Sequence, residues 1–314
     1  MVDFRYHLVS IIAVFLALAL GIVVGTTALN GALLDNLKGS IGALTAEKRS
    51  LEGTIGGLRE QTASDEQLAE RIGPAAASGR LAGRRVVLVT APNAPSGEAD
   101  GLVPLLQAAG ATVTGTVQLR PDLLDPAKAP VVDDVVARVA PAGMDLNGIE
   151  PAQRAPAELA AALVTSPANE NIPAAAAKSI LDGFQELDLV DVSSDLDTRA
   201  DLAVLVAGDP IASSDPAVPV ARARALLSFA SALDAAASGA VVAGPLTATA
   251  EGGLLRALRD DGALSERVSS VDGADRPQGR VAVVYALREQ ADGGTGRYGS
   301  GPGNQGPVPP LPGR

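Results

Sequence analysis

Cysteine is missing from all 314 residues, which excludes disulfides, thiolate zinc sites, iron–sulfur clusters and a cysteine nucleophile. Histidine occurs once, as His7, so the body of the chain cannot hold a Ser-His-Asp arrangement. Tryptophan is absent and only four Phe and three Tyr accompany a hydrophobic content of 47%. Any core must therefore be built from Ala, Val and Leu. Long basic runs are also lacking. Arg84-Arg85 and the Arg222/Arg224 pair are too short to offset a net charge of −11, and a nucleic-acid partner is not expected. No GxxxxGK[ST] phosphate loop occurs.

The first strong positive feature is an uncharged run, Leu8–Leu29. As a helix it extends roughly 33 Å, enough to cross a hydrocarbon core of about 30 Å. A transmembrane helix is expected over 8–30, after a short flank at 1–7. A secretory signal has an apolar region of only about 7–15 residues, which favours an uncleaved anchor, while small residues at Gly25 and Ala28 keep cleavage open. Arg5 and the terminal amine lie on the short side, and the positive-inside rule then puts the bulk of the chain outside the cytoplasm. Gly21 and Gly25 form a GxxxG pair and are candidate helix-packing residues; glycine is also simply frequent in membrane helices.

Beyond the run, apolar residues recur in steps of three and four at Leu34, Leu37, Ile41, Leu44, Leu51, Ile55 and Leu58. In heptad terms Ile41 and Ile55 fall at a, Leu37, Leu44, Leu51 and Leu58 at d, and Lys48 occupies the a position between. β-Branched residues at a with Leu at d favour parallel dimers, and a lone polar a residue can fix register. A coiled-coil stalk over 33–72 is the expectation, with self-association through it. Gly39, Gly42, Gly53, Gly56 and Gly57 each cost up to about 1 kcal/mol in a helix interior, so the helix needs packing support. The alternative is one amphipathic helix folded back on the rest of the chain. The Gly21/Gly25 phase and the heptad phase do not match along one unbroken helix. Either a break occurs near Asn30-Gly31 or one of the two signals is accidental.

From residue 84 to 290 short Val-rich runs alternate with Ala/Leu segments. Strands are predicted at Val86–Thr90, Thr112–Leu119, Leu202–Ala207, Gly239–Ala243 and Val281–Leu287. Helices are predicted between Asp100, as cap, and Gly110, then over Ala157–Val164, Ala174–Leu187, Ala221–Ala237 and Gly252–Arg259. Continuously apolar strands separated by helices indicate a parallel sheet covered on both faces, a Rossmann-like α/β domain. Ligands in such sheets bind at the strands' carboxyl ends. Here these are Thr90-Ala91-Pro92-Asn93, Gly208-Asp209-Pro210 and Gly244-Pro245, where Asp209 is the single charge and an Asp-Pro turn the plainer reading. The remainder, 291–314, is rich in Gly and Pro and expected to be disordered.

Gly294-Thr295-Gly296-Arg297-Tyr298-Gly299 matches GxGxxG. The dinucleotide motif requires a strand before it and a helix after it, and a proline-rich tail supplies neither. No cofactor is implied and no enzyme activity is expected. A metal ligand would have to come from His7, Met1, Met144 or carboxylates. Soft Cu(I) prefers sulfur ligands, and His7, a weak metal candidate, reads better as a headgroup-level interfacial ring than as a ligand. The paired carboxylates Asp133-Asp134 and Asp260-Asp261 read as surface positions.

The opening Asp3-Phe4-Arg5-Tyr6-His7-Leu8-Val9-Ser10, continuing through Ala13–Ala19 to Gly21-Ile22-Val23-Val24-Gly25, resembles the start of the actinobacterial copper transport outer membrane protein family, MctB. The order of stalk and α/β region is similar too. This resemblance implies a pore-like envelope protein that removes copper ions from the cell, located in the outer membrane, and it carries over no metal-binding residue. A spanning β-barrel needs repeated alternating strands of about 9–11 residues and aromatic girdles. Past Phe15 the aromatic residues are Phe184, Phe229, Tyr285 and Tyr298 alone. A pore would have to come from oligomerised helices lined by Ser10, Thr26 and Thr27. The residues by themselves favour a second reading, a structural scaffold holding an α/β module away from a membrane.

Overall fold

The computed structural model describes residues 4–141, 144, 146, 148–166, 172–193, 196 and 198–310, and of residues 26–35 only the backbone. Two compact units result, Met1–Asp65 and Glu66–Arg314. The first is built from helix α1 (Phe4–Ala77), whose last turns belong to the second. Residues Phe4–Gly25 form the one described segment long and apolar enough to cross a membrane. No break occurs near Asn30-Gly31. Glycine keeps its amide, so the i to i−4 ladder survives there at an entropic cost alone.

The second unit runs β1 (Arg85–Thr90), α2 (Ser96–Ala108), β2 (Thr112–Leu119), α3 (Ala129–Val139), α4 (Pro151–Leu163), α5 (Ala174–Glu186), β3 (Val190–Val192), β4 (Leu202–Val206), α6 (Ala217–Ala236), β5 (Ala240–Gly244), α7 (Leu254–Asp260), α8 (Gly262–Ser265), β6 (Ser269–Asp272), α9 (Pro277–Ala291) and β7 (Arg297–Tyr298). The sheet order is β3-β2-β1-β4-β5-β6-β7. Every pairing is parallel except the short antiparallel β2–β3 edge.

Alternation along the central strands divides the core into two layers. Val87, Val89, Leu205 and Val242 face α3 to α7, where Phe184, Ile180 and Leu159 fill the layer. Val86, Leu88, Val204 and Val241 face α2 and α9, joined by Ala77 and Leu81 at and just after the end of α1. That end is held by further contacts. The Tyr285 hydroxyl donates to the Ala76 carbonyl at 2.9 Å, Arg80 lies 5.1 Å from the Tyr285 ring centroid, and Arg276 pairs with Glu66 at 3.6 Å.

Three expectations are overturned. Val281–Leu287 lies within α9 and is not a strand. That helix buries Ala282, Val283, Val284, Ala286 and Leu287, so its sequence reads as continuously apolar, and Pro277 at its first turn marks a helix start. Helix α2 begins at Ser96, ahead of Asp100. The segment after Ala291, expected to be disordered, adds β7 to the sheet, and Tyr298 is buried there. It is held through backbone groups, which composition does not register. Residues 311–314 of that segment lie outside the described residues.

Candidate functional site

Chain connections reverse direction between β1 and β4, since β2 lies on one side of β1 and β4 on the other. In open α/β sheets that is where a ligand crevice forms. The structure brings together there the three strand ends singled out by sequence. The Asn93 side-chain amide donates to the Asp209 carbonyl, and the Thr247 hydroxyl donates to the Asp209 carboxylate. Gly208 packs so closely that a Cβ there would collide with the Asn93 backbone. What remains is a cavity of about 20 Å³, close to the room one water needs.

The phosphate-binding geometry of such crevices is missing from the β1–α2 turn. Its residues are Ala91-Pro92-Asn93-Ala94-Pro95; two prolines remove N–H groups, and Pro95 stands at the helix cap. Instead of an anion, the first turn of α2 carries Glu98, only 5% exposed. Its carboxyl is pushed up to about 7, first by burial and then by the charges of Asp275 and Asp209, with Arg280 acting the other way. One of its oxygens has no hydrogen-bond partner among the described residues. Arg280 lies across Gly101 and donates to the carbonyls of Ala274 and Asp275 at 3.3 and 2.9 Å.

At the end of β6 the chain closes on itself again. Asp272 is 1% exposed and accepts from Arg259 at 2.8 Å and from the amides of Ser300 and Gly301 at 2.7 and 3.0 Å. Arg259 donates further to Ser270 Oγ and to the carbonyls of Tyr298 and Pro302. Gly299 has φ +119°, and a Cβ there would strike the Asp272 carboxylate. The GxGxxG match therefore contains a strand and leads into the turn whose 300–301 amides cap the carboxylate. A pair so fully hydrogen-bonded is structural, and with it the carboxyl edge is filled from β1 to β6.

The remaining sequence candidates do not converge. His7, Gly21 and Gly25 are spread along α1, and a Cβ at either glycine would meet nothing within 4 Å. Leu37, Ile41, Leu44, Leu51, Ile55 and Leu58 are between 47% and 63% exposed, and Lys48 pairs with Glu52 at 3.6 Å. Met1 and the side chains of Leu34, Thr26 and Thr27 lie outside the described residues. Among the described residues no three His, Asp or Glu are grouped so as to hold a metal ion. An open groove of about 910 Å³ between α6 and α7 is lined by Arg224, Arg256, Glu251 and Asp260, where Arg256 is already paired with Asp260 at 2.6 Å.

Sequence reasoning missed Glu98, Glu158, Arg259 and Asp272. Glu158 is completely buried in α4 with both carboxylate oxygens unpartnered among the described residues. Its one sequence signal was position, a carboxylate on the apolar Ala155-Leu159-Ala162 face.

Comparison with known proteins gives matches over the whole length. The family described as copper transport outer membrane protein, MctB, matches residues 1–309. Copper transporter MctB of Mycobacterium tuberculosis (strain ATCC 25618 / H37Rv) is 28% identical over 310 residues, which cover 96% of this chain and 98% of that protein. Copper transporter MctB of Mycobacterium leprae (strain TN) is 29% identical over 326 residues, with the same shares covered.

Proposed function

The chain belongs to the MctB family of copper transport outer membrane proteins, and on that premise we propose that it is an envelope protein that takes part in copper efflux. In this reading Phe4–Gly25 anchors the protein in a membrane, the α/β unit lies outside the cytoplasm, and copper ions are the transported species. The observation that carries the copper assignment is the family match over residues 1–309, reinforced by relatives named copper transporters that align over 96% of the chain. Topology is supported by Arg5 at the N-terminal end of that segment, ahead of the uncharged run that begins at Leu8.

The division of labour follows from the filled carboxyl edge. The strand order resembles a Rossmann-like sheet, yet Asn93, Gly208, Asp209 and Asp272 occupy the positions a ligand would take. The filled edge supports reading the α/β unit as a non-enzymatic module, with self-association of a coiled-coil stalk supplying the assembly. If ions cross through this protein, they do so through assembled α1 helices. The filled edge also favours a second reading, in which the chain is an envelope scaffold and copper crosses elsewhere.

Copper accumulation in cells lacking the gene, beside cells rescued with the full chain, tests the first reading. Excess copper reversed by rescue is expected; unchanged copper with altered envelope integrity overturns it. Ion conductance of purified full-length protein in liposomes then separates a pore from a scaffold, since a scaffold gives none.

A further inference from the structure

From Leu37 to Leu58, α1 carries a row of Leu and Ile side chains that are half-exposed among the described residues. The glycines of this stretch are distributed unevenly around the helix. Gly39 and Gly53 fall at f, Gly42 and Gly56 at b, and Gly57 at c, so none falls at a, d, e or g. A Cβ at any of them would meet nothing within 4 Å. They weaken the lone helix while leaving the apolar row uninterrupted. Among the residues flanking that row, Thr45 and Thr54 turn their hydroxyls back to the carbonyls of Ile41 and Ser50.

Lys48 is the one charge within the row. Its own-chain partner, Glu52, is 3.6 Å away with both side chains well exposed, an arrangement that contributes little even to a lone helix. The identity of the facing helix decides whether Lys48 can do better. In a parallel coiled coil, a residue at a enters a hole formed by four residues of the partner. With the two chains in register, that hole is Leu44, Glu47, Lys48 and Leu51 of the second copy. A slip of one heptad either way replaces Glu47 with Ser40 or Thr54 and leaves Lys48 without a counter-charge. Anchoring both copies in one membrane by the same terminus permits only the parallel arrangement.

We propose that α1 pairs with α1 of a second copy, parallel and in register, and that Lys48 of each chain forms an ion pair with Glu47 of the other. This rests on the reading of the stalk as a self-associating coiled coil and adds the contact that sets its register. The Lys48–Glu52 pair in the single chain is exchanged for two crossed Lys48–Glu47 pairs on association.

The absence of cysteine makes the test direct, because a single introduced thiol reports alone. Full-length protein carrying Leu51→Cys at d is expected to form a disulfide-linked dimer under mild oxidation in detergent micelles, while Gly53→Cys at f is not. Adding Lys48→Glu to Leu51→Cys should raise the concentration needed for half-maximal cross-linking about tenfold, since two attractive contacts become repulsive. Adding Glu47→Lys as well should restore it. Failure of Leu51→Cys to cross-link overturns both the pairing and the self-associating stalk. Cross-linking that is unaffected by Lys48→Glu, or not restored by the double exchange, overturns the register contact and leaves the stalk reading intact.

Discussion

Replacing Glu158 with Met should stabilise the protein, and do so more strongly the higher the pH. The side chain is fully buried in α4 with neither oxygen partnered among the described residues, within a layer lined by Ala155, Leu159, Ala162 and Leu163. Burial pushes its carboxyl from 4.5 up to about 8. The folded protein therefore holds a proton that the unfolded chain releases between those values, and stability is greatest below pH 4.5 and falls as pH rises through 8. A displacement of that size corresponds to about 5 kcal/mol once the group is fully ionised and to about 3 kcal/mol at pH 7. Both are ceilings, because relaxation around a buried carboxylate lowers its cost. Set against a typical domain stability of about 5–15 kcal/mol, even half that amount moves a denaturation midpoint visibly. Urea unfolding of wild type and Glu158→Met, followed by circular dichroism at pH 5.5 and 8.5, measures the difference. Glu98 titrates in the same direction in both proteins, so the quantity to read is the gap between them. A gap wider by about 2–4 kcal/mol at pH 8.5 is expected; a gap independent of pH refutes the buried-acid argument.

Glu98→Gln should remove a second decline in stability that runs upward through pH 7, because that carboxyl too is raised, to about 7; its pH profile against wild type checks this. Asp272→Asn leaves Arg259 buried beside a neutral group and should cost about 3–5 kcal/mol, read as a lowered melting temperature. Gly208→Ala drives a methyl into the Asn93 backbone and should cost about 1–3 kcal/mol. A change within about 0.5 kcal/mol, typical of plain surface substitutions, would show that the crevice has more room than about 20 Å³.

The central sheet was legible because β1, β4 and β5 are buried on both faces and read as unbroken runs of Val, Leu and Ala. β6 was not, for a physical reason. Its sequence Ser269-Ser270-Val271-Asp272 is polar, and its burial is compensated by distant groups: Gln290 and the Gly296 amide on Ser269, Arg259 on Ser270 and Asp272, the 300–301 amides on Asp272. Such partners lie far along the chain, and no local pattern reveals them. Asn93, Gly208 and Asp209 could be named beforehand because strand ends are predictable; that they fill one another's space could not. Glu158 illustrates the converse, since the lack of a partner is visible only after folding.

The placement of β7 has a consequence in time. Residues 297–302 complete the edge beside β6 and supply two amides to Asp272 and two carbonyls to Arg259, and they are synthesised after the groups they complete. Until they arrive, a carboxylate and a guanidinium that belong in the interior stay hydrated, and the layers around them stay open. Under the proposed topology these residues cross after the anchor has entered the membrane. Closure of the α/β unit thus reports that β7 and the turn after it have been delivered, and a chain cut before Arg297 should be exposed to envelope proteases while its uncut counterpart is not.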